Sequence, residues 1–200
     1  QPDLGTSILI AAGGIIVAWL AGVKAKFFVI SGLTMLALLP IAISFLKPYQ
    51  KSRILTFLNP ERDPLGAGYQ IIQSKIAIGS GGLFGKGFLN GSQSYLDYLP
   101  EKHTDFIFTL FSEEFGFFGS LFILLLYALI ISRIIRIGNM TRSNFGKLYC
   151  YSFATAFFIY VVVNMMMVLG LLPIVGSPLP IMSYGGSSMM AIMFGLGIVM

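Results

Sequence analysis

Charge is scarce in this chain of 200 residues: Asp, Glu, Lys and Arg make up 10% of it. Soluble domains carry about 25% charged residues, so a soluble globule is excluded. No basic run resembles a nucleic-acid-binding arm, and no nucleic-acid partner is expected. The net charge of +5 bears instead on membrane topology and anionic lipid. There is one cysteine, Cys150, inside an apolar segment. A lone cysteine excludes an intrachain disulfide and a Cys/His metal cluster, and it reads as a packing residue. Histidine is equally rare, His103 being the single copy. Gln1 is not an initiator Met, and the apolar stretch from Ser187 stops at Met200 before it is long enough to span a bilayer. These two ends set the expectation of an excerpt from a larger protein.

What the chain has is apolar length, with 56% of its residues hydrophobic. Several stretches approach or exceed the roughly 20 residues that cross a bilayer as a helix, and five membrane segments emerge. They are Ser7–Val23, Phe27–Leu46, Phe106–Ile131, Leu148–Leu169 and a segment starting near Ser187. The expected fold is all-α: a polytopic membrane helix bundle forming one domain. Between the second and third segments lies a long polar region, Lys47 to Thr104. It opens into the turn-rich "NPERDPLGAG". "YQIIQSKIAIG" then reads as a short amphipathic helix, and "SGGLFGKGFLNGSQ" as a Gly-rich loop.

Orientation follows from the short loops. Lys24 and Lys26 separate the first two segments, while Arg133, Arg136, Arg142 and Lys147 separate the third and fourth. The positive-inside rule makes this side cytoplasmic. The long region is then extracytoplasmic, and Asp105 stands at the outer mouth of the third segment. "GLLPIVGSPLPIMSYGGSS" also falls on the outer side. Pro173, Pro178 and Pro180 forbid a regular helix there, yet the stretch is too apolar for a solvated loop. It reads either as a re-entrant lining buried in protein or as a stiff turn between helices.

Helical geometry sharpens the third segment. Counted from Asp105 at 100° per residue, Thr109 lies about 40° away, Ser112 about 20° and Glu113 about 80°. Asp105, Thr109, Ser112, Gly116 and Gly119 form one small and polar stripe among phenylalanines. Such a stripe should face the bundle interior. Asp105 suits a helix cap as well as a catalytic role, and the two are compatible. Glu101 and His103 crowd the same place. Glu113 and Glu114 are embedded acids, expected to bond a polar residue on another helix such as Asn164, or to relay protons or ions. "GSGGLFGKG" is no phosphate-binding P-loop: Ser80 and Gly87 stand where Gly and Ser/Thr are required. Its bare N–H groups, with Lys75 and Lys86 nearby, would still suit a pyrophosphate at a membrane surface.

Four stretches together carry a resemblance: "QPDLGTS", "DPLGAGYQIIQSKIAIGSGGLFGKG", "LPEKHTDFIF" and "GSPLPIMSYGGSS". Along its whole length the chain resembles the SEDS family of shape, elongation, division and sporulation proteins. It is most similar to the elongation branch. The resemblance implies about five transmembrane helices of a ten-helix fold, beginning at the sixth, with residues 47–104 as the outer loop. It implies a peptidoglycan glycosyltransferase in the bacterial cytoplasmic membrane, polymerising lipid II at the outer face. The implied partners are lipid II, a class B penicillin-binding protein that crosslinks the glycan, and membrane proteins of the elongation complex.

The family's essential acidic residue matches Asp105, the expected general base. Glu101, His103, Thr104, Ser183 and Tyr184 are expected to bind substrate beside it. Gln73, Lys75 and Lys86 would do so from the loop region, the lysines facing the pyrophosphate. No cofactor is implied with certainty; a divalent cation is left open as a further neutralising charge, with no ligand set assigned. The rival readings are a division-type homologue of the same activity, a lipid II flippase or transporter, and a non-enzymatic cell-wall scaffold.

Overall fold

A computed structural model describes residues 4–44, 48–60, 66–91 and 103–200. Seven helices follow one another among them: α1 (Leu4–Leu20), α2 (Ala25–Ser44), α3 (Pro48–Leu58), α4 (Ala67–Gly81), α5 (Ile107–Met140), α6 (Asn144–Val168) and α7 (Gly186–Val199). The described residues form an all-α bundle. Two helices, α5 and α6, are long and apolar enough to cross a membrane. The shorter apolar stretches lie in α1, α2 and α7.

Each of the five expected apolar segments coincides with a helix, with bounds displaced by a few residues and with 45–46 outside the described residues. One end differs more: α5 runs to Met140 and not to Ile131. Hydropathy stops where Arg133 and Arg136 begin, but Arg and Ile continue a helix readily. The polar region also holds two helices, α3 and α4, where one was expected. Pro48 opens α3, a position where its missing N–H costs nothing and its φ is preset.

The core sits where α5, α6 and the proline-rich segment meet. Phe106, Phe108, Tyr127, Phe157, Val161, Met167, Val168 and Leu179 are buried together. A second cluster towards the other end of the helices joins Ile134, Cys150, Ala154 and Val199. Cys150 is therefore a packing residue, buried and in no disulfide. Small residues let these helices close up. A Cβ on Gly138 would stand 2.9 Å from that of Cys150, and one on Gly195 2.3 Å from the Phe153 ring.

α4 uses a 3–4 residue period to bury one face, with Ile71, Ser74 and Ala77 inward and Lys75 and Ile76 outward. Ser74 fixes its depth: Oγ donates to the Val168 carbonyl at 2.7 Å and lies 2.8 Å from Thr109 Oγ1. One buried hydroxyl thus ties α4 to the end of α6 and the start of α5. α6 ends on Gly170, whose φ of 68° admits the two tail bonds Gly170 N–H to Met167 O and Leu171 N–H to Met166 O. The chain then enters the proline-rich segment.

α5 is not one rod. At Gly116 the backbone leaves helical space, with φ 65° and ψ −159°. The inward stripe therefore holds only as far as the break. Thr109 and Ser112 are buried as expected, and so is Gly116. Beyond Gly116 the helix restarts in a new direction, and the stripe's last member, Gly119, is only half-buried.

Candidate functional site

Residues 103–106 form a turn ahead of α5, and Phe106, fully buried, takes the N-cap position. Asp105 thus stands one residue outside the helix it was expected to begin. Three successive carbonyls strap this turn down. His103 O accepts from Tyr184 N–H at 2.9 Å, Thr104 O from Ser183 Oγ at 2.6 Å, and Asp105 O from Asn164 Nδ2 at 2.9 Å. Ser183 Oγ also accepts from Leu179 N–H at 2.7 Å, so one hydroxyl bridges the turn and the proline-rich segment. Asn164 Nδ2 likewise reaches the Ser177 carbonyl at 2.7 Å.

These bonds bind the main chain of the turn from beneath. The Asp105 carboxylate faces the bend at Gly176, where an added Cβ would lie 3.6 Å from Oδ2. Gly176 has φ 74°, a conformation a larger residue adopts at a cost. The proline-rich segment is partly buried in protein. Ser177, Leu179, Pro180 and Ser183 are buried, and Tyr127 Oη donates to the Pro180 carbonyl at 2.7 Å. Non-helical backbone is tolerated among membrane helices where protein satisfies it in this way.

A cleft of about 650 Å³ opens beside the turn, lined by His103, Ile107, Ser183 and Tyr184 with Met182, Gly185, Gly186 and Met189. Its position flanks Asp105 on both sides in sequence. Tyr184 and His103 expose their side chains there, while Ser183 is buried as the strap. Among the expected substrate residues, the structure brings His103, Thr104, Asp105, Ser183 and Tyr184 together. Glu101 lies outside the described residues. Lys75 is exposed beside the end of α6, so close that a Cβ on Gly170 would meet its Cε at 2.3 Å. Gln73, half-buried on α4, is not among the described residues lining the cleft.

Lys86 lies elsewhere. Its Nζ is 2.6 Å from Glu113 Oε1, and the Glu113 side chain is fully buried. The expected partner of the embedded acid, Asn164, belongs instead to the straps on Asp105 and Ser177. Helical angles alone do not foresee this, because Lys86 arrives from a loop and not from a facing helix. Glu114 offers its main-chain carbonyl to Gly87 N–H at 3.0 Å. Among the described residues no group of three or more His, Cys, Asp or Glu comes together to hold a metal ion.

Asn164 is the residue whose role the sequence reading missed. Its signal is an amide inside the apolar run "VVVNMMMV". A polar group at that place has to find partners in protein.

The geometry matches known relatives. The family model described as cell cycle protein, covering FtsW, RodA and SpoVE, matches residues 1–200. The peptidoglycan glycosyltransferase MrdB of Escherichia coli strain K12 is 51% identical over 201 residues, covering 100% of this chain and 54% of that protein. A probable peptidoglycan glycosyltransferase FtsW of Trichlorobacter lovleyi is 42% identical, covering 100% and 52%. Among solved structures, a chain from a peptidoglycan synthase complex that coordinates polymerization and crosslinking superposes with a TM-score of 0.78. It is 38% identical, and the match covers 100% of this chain and 55% of the other. The chain spans about half the length of the curated relatives it matches.

Proposed function

The chain belongs to the SEDS family of FtsW, RodA and SpoVE cell cycle proteins, and we propose that the protein is a peptidoglycan glycosyltransferase that polymerises lipid II. The observation that carries the reading is the turn bearing Asp105, strapped by its main chain beside a cleft that His103, Ile107, Ser183 and Tyr184 line. A general base needs a fixed position, and these straps give one to the turn that bears Asp105.

The step is an inverting displacement. The acceptor is the GlcNAc 4-hydroxyl of one lipid II, and the donor is the MurNAc anomeric carbon of the growing strand. As the new C1–O4 bond forms, Asp105 takes the hydroxyl proton. The C1–O bond to undecaprenyl pyrophosphate breaks, and the pyrophosphate leaves with the electron pair. Pyrophosphate is already a good leaving group, so no second carboxylic acid is required. His103, Thr104 and Tyr184 contact the sugars from the cleft, with Ser183 fixing the turn. Lys75, exposed beside the end of α6, and Gln73 approach from α4 on the pyrophosphate side. Lys86 contributes through its hold on Glu113.

Elongation is the favoured branch, because "DPLGAGYQIIQSKIAIGSGG" and "LNGSQSYLDYLPEKHTDF" resemble that branch. The likeness to a synthase complex that joins polymerization to crosslinking supports a class B penicillin-binding protein as partner within the elongation complex. The loop charges support five spans in the cytoplasmic membrane, with the cleft on the periplasmic face. The test is the product. The full-length protein with its penicillin-binding partner, in detergent, should turn purified lipid II into glycan strands. Transport cannot occur in detergent, so absence of polymer there would favour a flippase or a scaffold.

A further inference from the structure

The break in α5 is filled by another piece of chain. In a continuous helix Phe117 N–H would bond Glu113 O, and Phe118 N–H would bond Glu114 O. Here Phe117 N–H donates to Gly82 O at 2.9 Å and Phe118 N–H to Leu83 O at 3.2 Å. The two carbonyls left behind are taken by the same loop: Lys86 N–H donates to Glu113 O at 3.1 Å and Gly87 N–H to Glu114 O at 3.0 Å. The Gly-rich loop is thus spliced into the helix, and all four backbone groups are satisfied. The approach is close enough to demand glycine, since a Cβ on Gly85 would lie 2.1 Å from Glu114 O.

The splice has a definite depth. From Phe117 to Arg136 the helix runs for about 20 residues, a rise of about 30 Å, which is one hydrocarbon thickness. Arg136 and Arg133 mark one interface, so Gly116 and its loop sit at the opposite one. There the loop turns its apolar side chains outward: Phe84 is 81% exposed, Phe88 68% and Leu89 70%. Leu89 holds a positive φ of 62°, where a loop in water would more readily carry Gly or Asn. The patch continues the exposed face of the span, Phe84 meeting Phe118 at 5.4 Å and Phe88 meeting Phe115 at 6.4 Å between ring centroids. The loop's cation, Lys86, turns inward to Glu113.

We propose that the Leu83–Leu89 loop is a membrane anchor, a spliced turn whose Phe84, Phe88 and Leu89 side chains lie among the acyl chains of the bilayer lipids. A loop with its backbone satisfied by helix termini and its charge neutralised meets the condition for non-helical chain at membrane depth. Aromatic side chains at the interface then fix the tilt and height of the span. The occupant is bilayer lipid, because the patch is continuous with the lipid-facing surface of α5.

The test uses the full-length protein in liposomes with every native tryptophan, Trp19 included, replaced by Phe and a single tryptophan introduced by Phe84→Trp or by Phe88→Trp. Phe122→Trp within the span is the control. Lipids brominated near the glycerol end of the acyl chain should quench the tryptophan at 84 and at 88 as strongly as brominated lipids quench the control, with emission shifted to the blue. Emission at the wavelength of tryptophan in water, without quenching, would place the loop in solvent and overturn the proposal. Blue-shifted emission without quenching would mean that protein covers the patch, and would overturn it equally. The readout is independent of polymerisation.

Discussion

Asn164 donates from Nδ2 to the main-chain carbonyl of Asp105 at 2.9 Å, joining residues 59 positions apart from the last turns of an apolar helix. The same nitrogen holds the Ser177 carbonyl at 2.7 Å. The turn bearing Asp105 and the bend facing its carboxylate are therefore positioned by one amide.

Asn164→Ala should leave one buried carbonyl, that of Ser177, and one part-buried carbonyl, that of Asp105, short of a donor, at about 1–3 kcal/mol for the buried group and less for the other. Asn164→Asp should be worse, because it keeps the shape but sets a carboxylate against two carbonyl oxygens. Thermal unfolding in detergent should rank wild type above Ala and Ala above Asp, with polymer yield falling in the same order. An Asp variant as stable as wild type would contradict this.

The ion pair should be asymmetric. Glu113 is fully buried, whereas Lys86 is 29% exposed and reaches solvent. Lys86→Met strands a buried carboxylate and should cost about 3–5 kcal/mol. Glu113→Gln keeps a hydrogen-bonding side chain opposite a partly hydrated ammonium and should cost less, about 1–3 kcal/mol. Replacing both, Lys86→Met with Glu113→Leu, should recover most of the loss. A double-mutant cycle on unfolding temperature measures the coupling, and equal single losses would refute the asymmetry.

Gly116→Ala tests the splice. Its φ and ψ are those only glycine takes readily, and an added Cβ would sit 2.3 Å from Gly85 N. Strain of about 1–3 kcal/mol is expected from the backbone alone, with a similar overpacking cost of about 1–3 kcal/mol. Gly14→Ala is the control: nothing lies within 4 Å of its added Cβ. It should be neutral or stabilise by about 0.5–1 kcal/mol. Limited proteolysis of the Gly82–Gly91 stretch should accelerate in Gly116→Ala and stay unchanged in Gly14→Ala.

Much of this was legible beforehand, for identifiable reasons. Apolar length reveals α1, α2, α5, α6 and α7, because bilayer thickness fixes how long such runs must be. Helical period places Thr109 and Ser112 inward, and both are buried. The break at Gly116 was not legible, since hydropathy carries no information about φ. Lys86 was read with the pyrophosphate because a loop's partner depends on where it folds back, which no local pattern encodes. α3 was missed because "PYQKSRILTFL" looks like part of a polar loop, although Pro at a first helical position was a usable sign. Within the site, His103, Ser183 and Tyr184 are legible from the sequence and line the cleft, and Asp105 stands on the strapped turn beside it. Asn164 stands out in the sequence as an amide in an apolar run, but that it holds this turn rather than an embedded acid comes only from the tertiary contact.

The most direct test is Asp105→Asn in the full-length protein, assayed with its penicillin-binding partner for polymerisation of purified lipid II. Asn keeps the size of the side chain and every main-chain strap, so the variant should unfold at the wild-type temperature. Loss of a general base should lower the polymerisation rate by roughly 10²–10⁴-fold. A folded Asp105→Asn protein that polymerises lipid II at the wild-type rate would contradict the role assigned to Asp105.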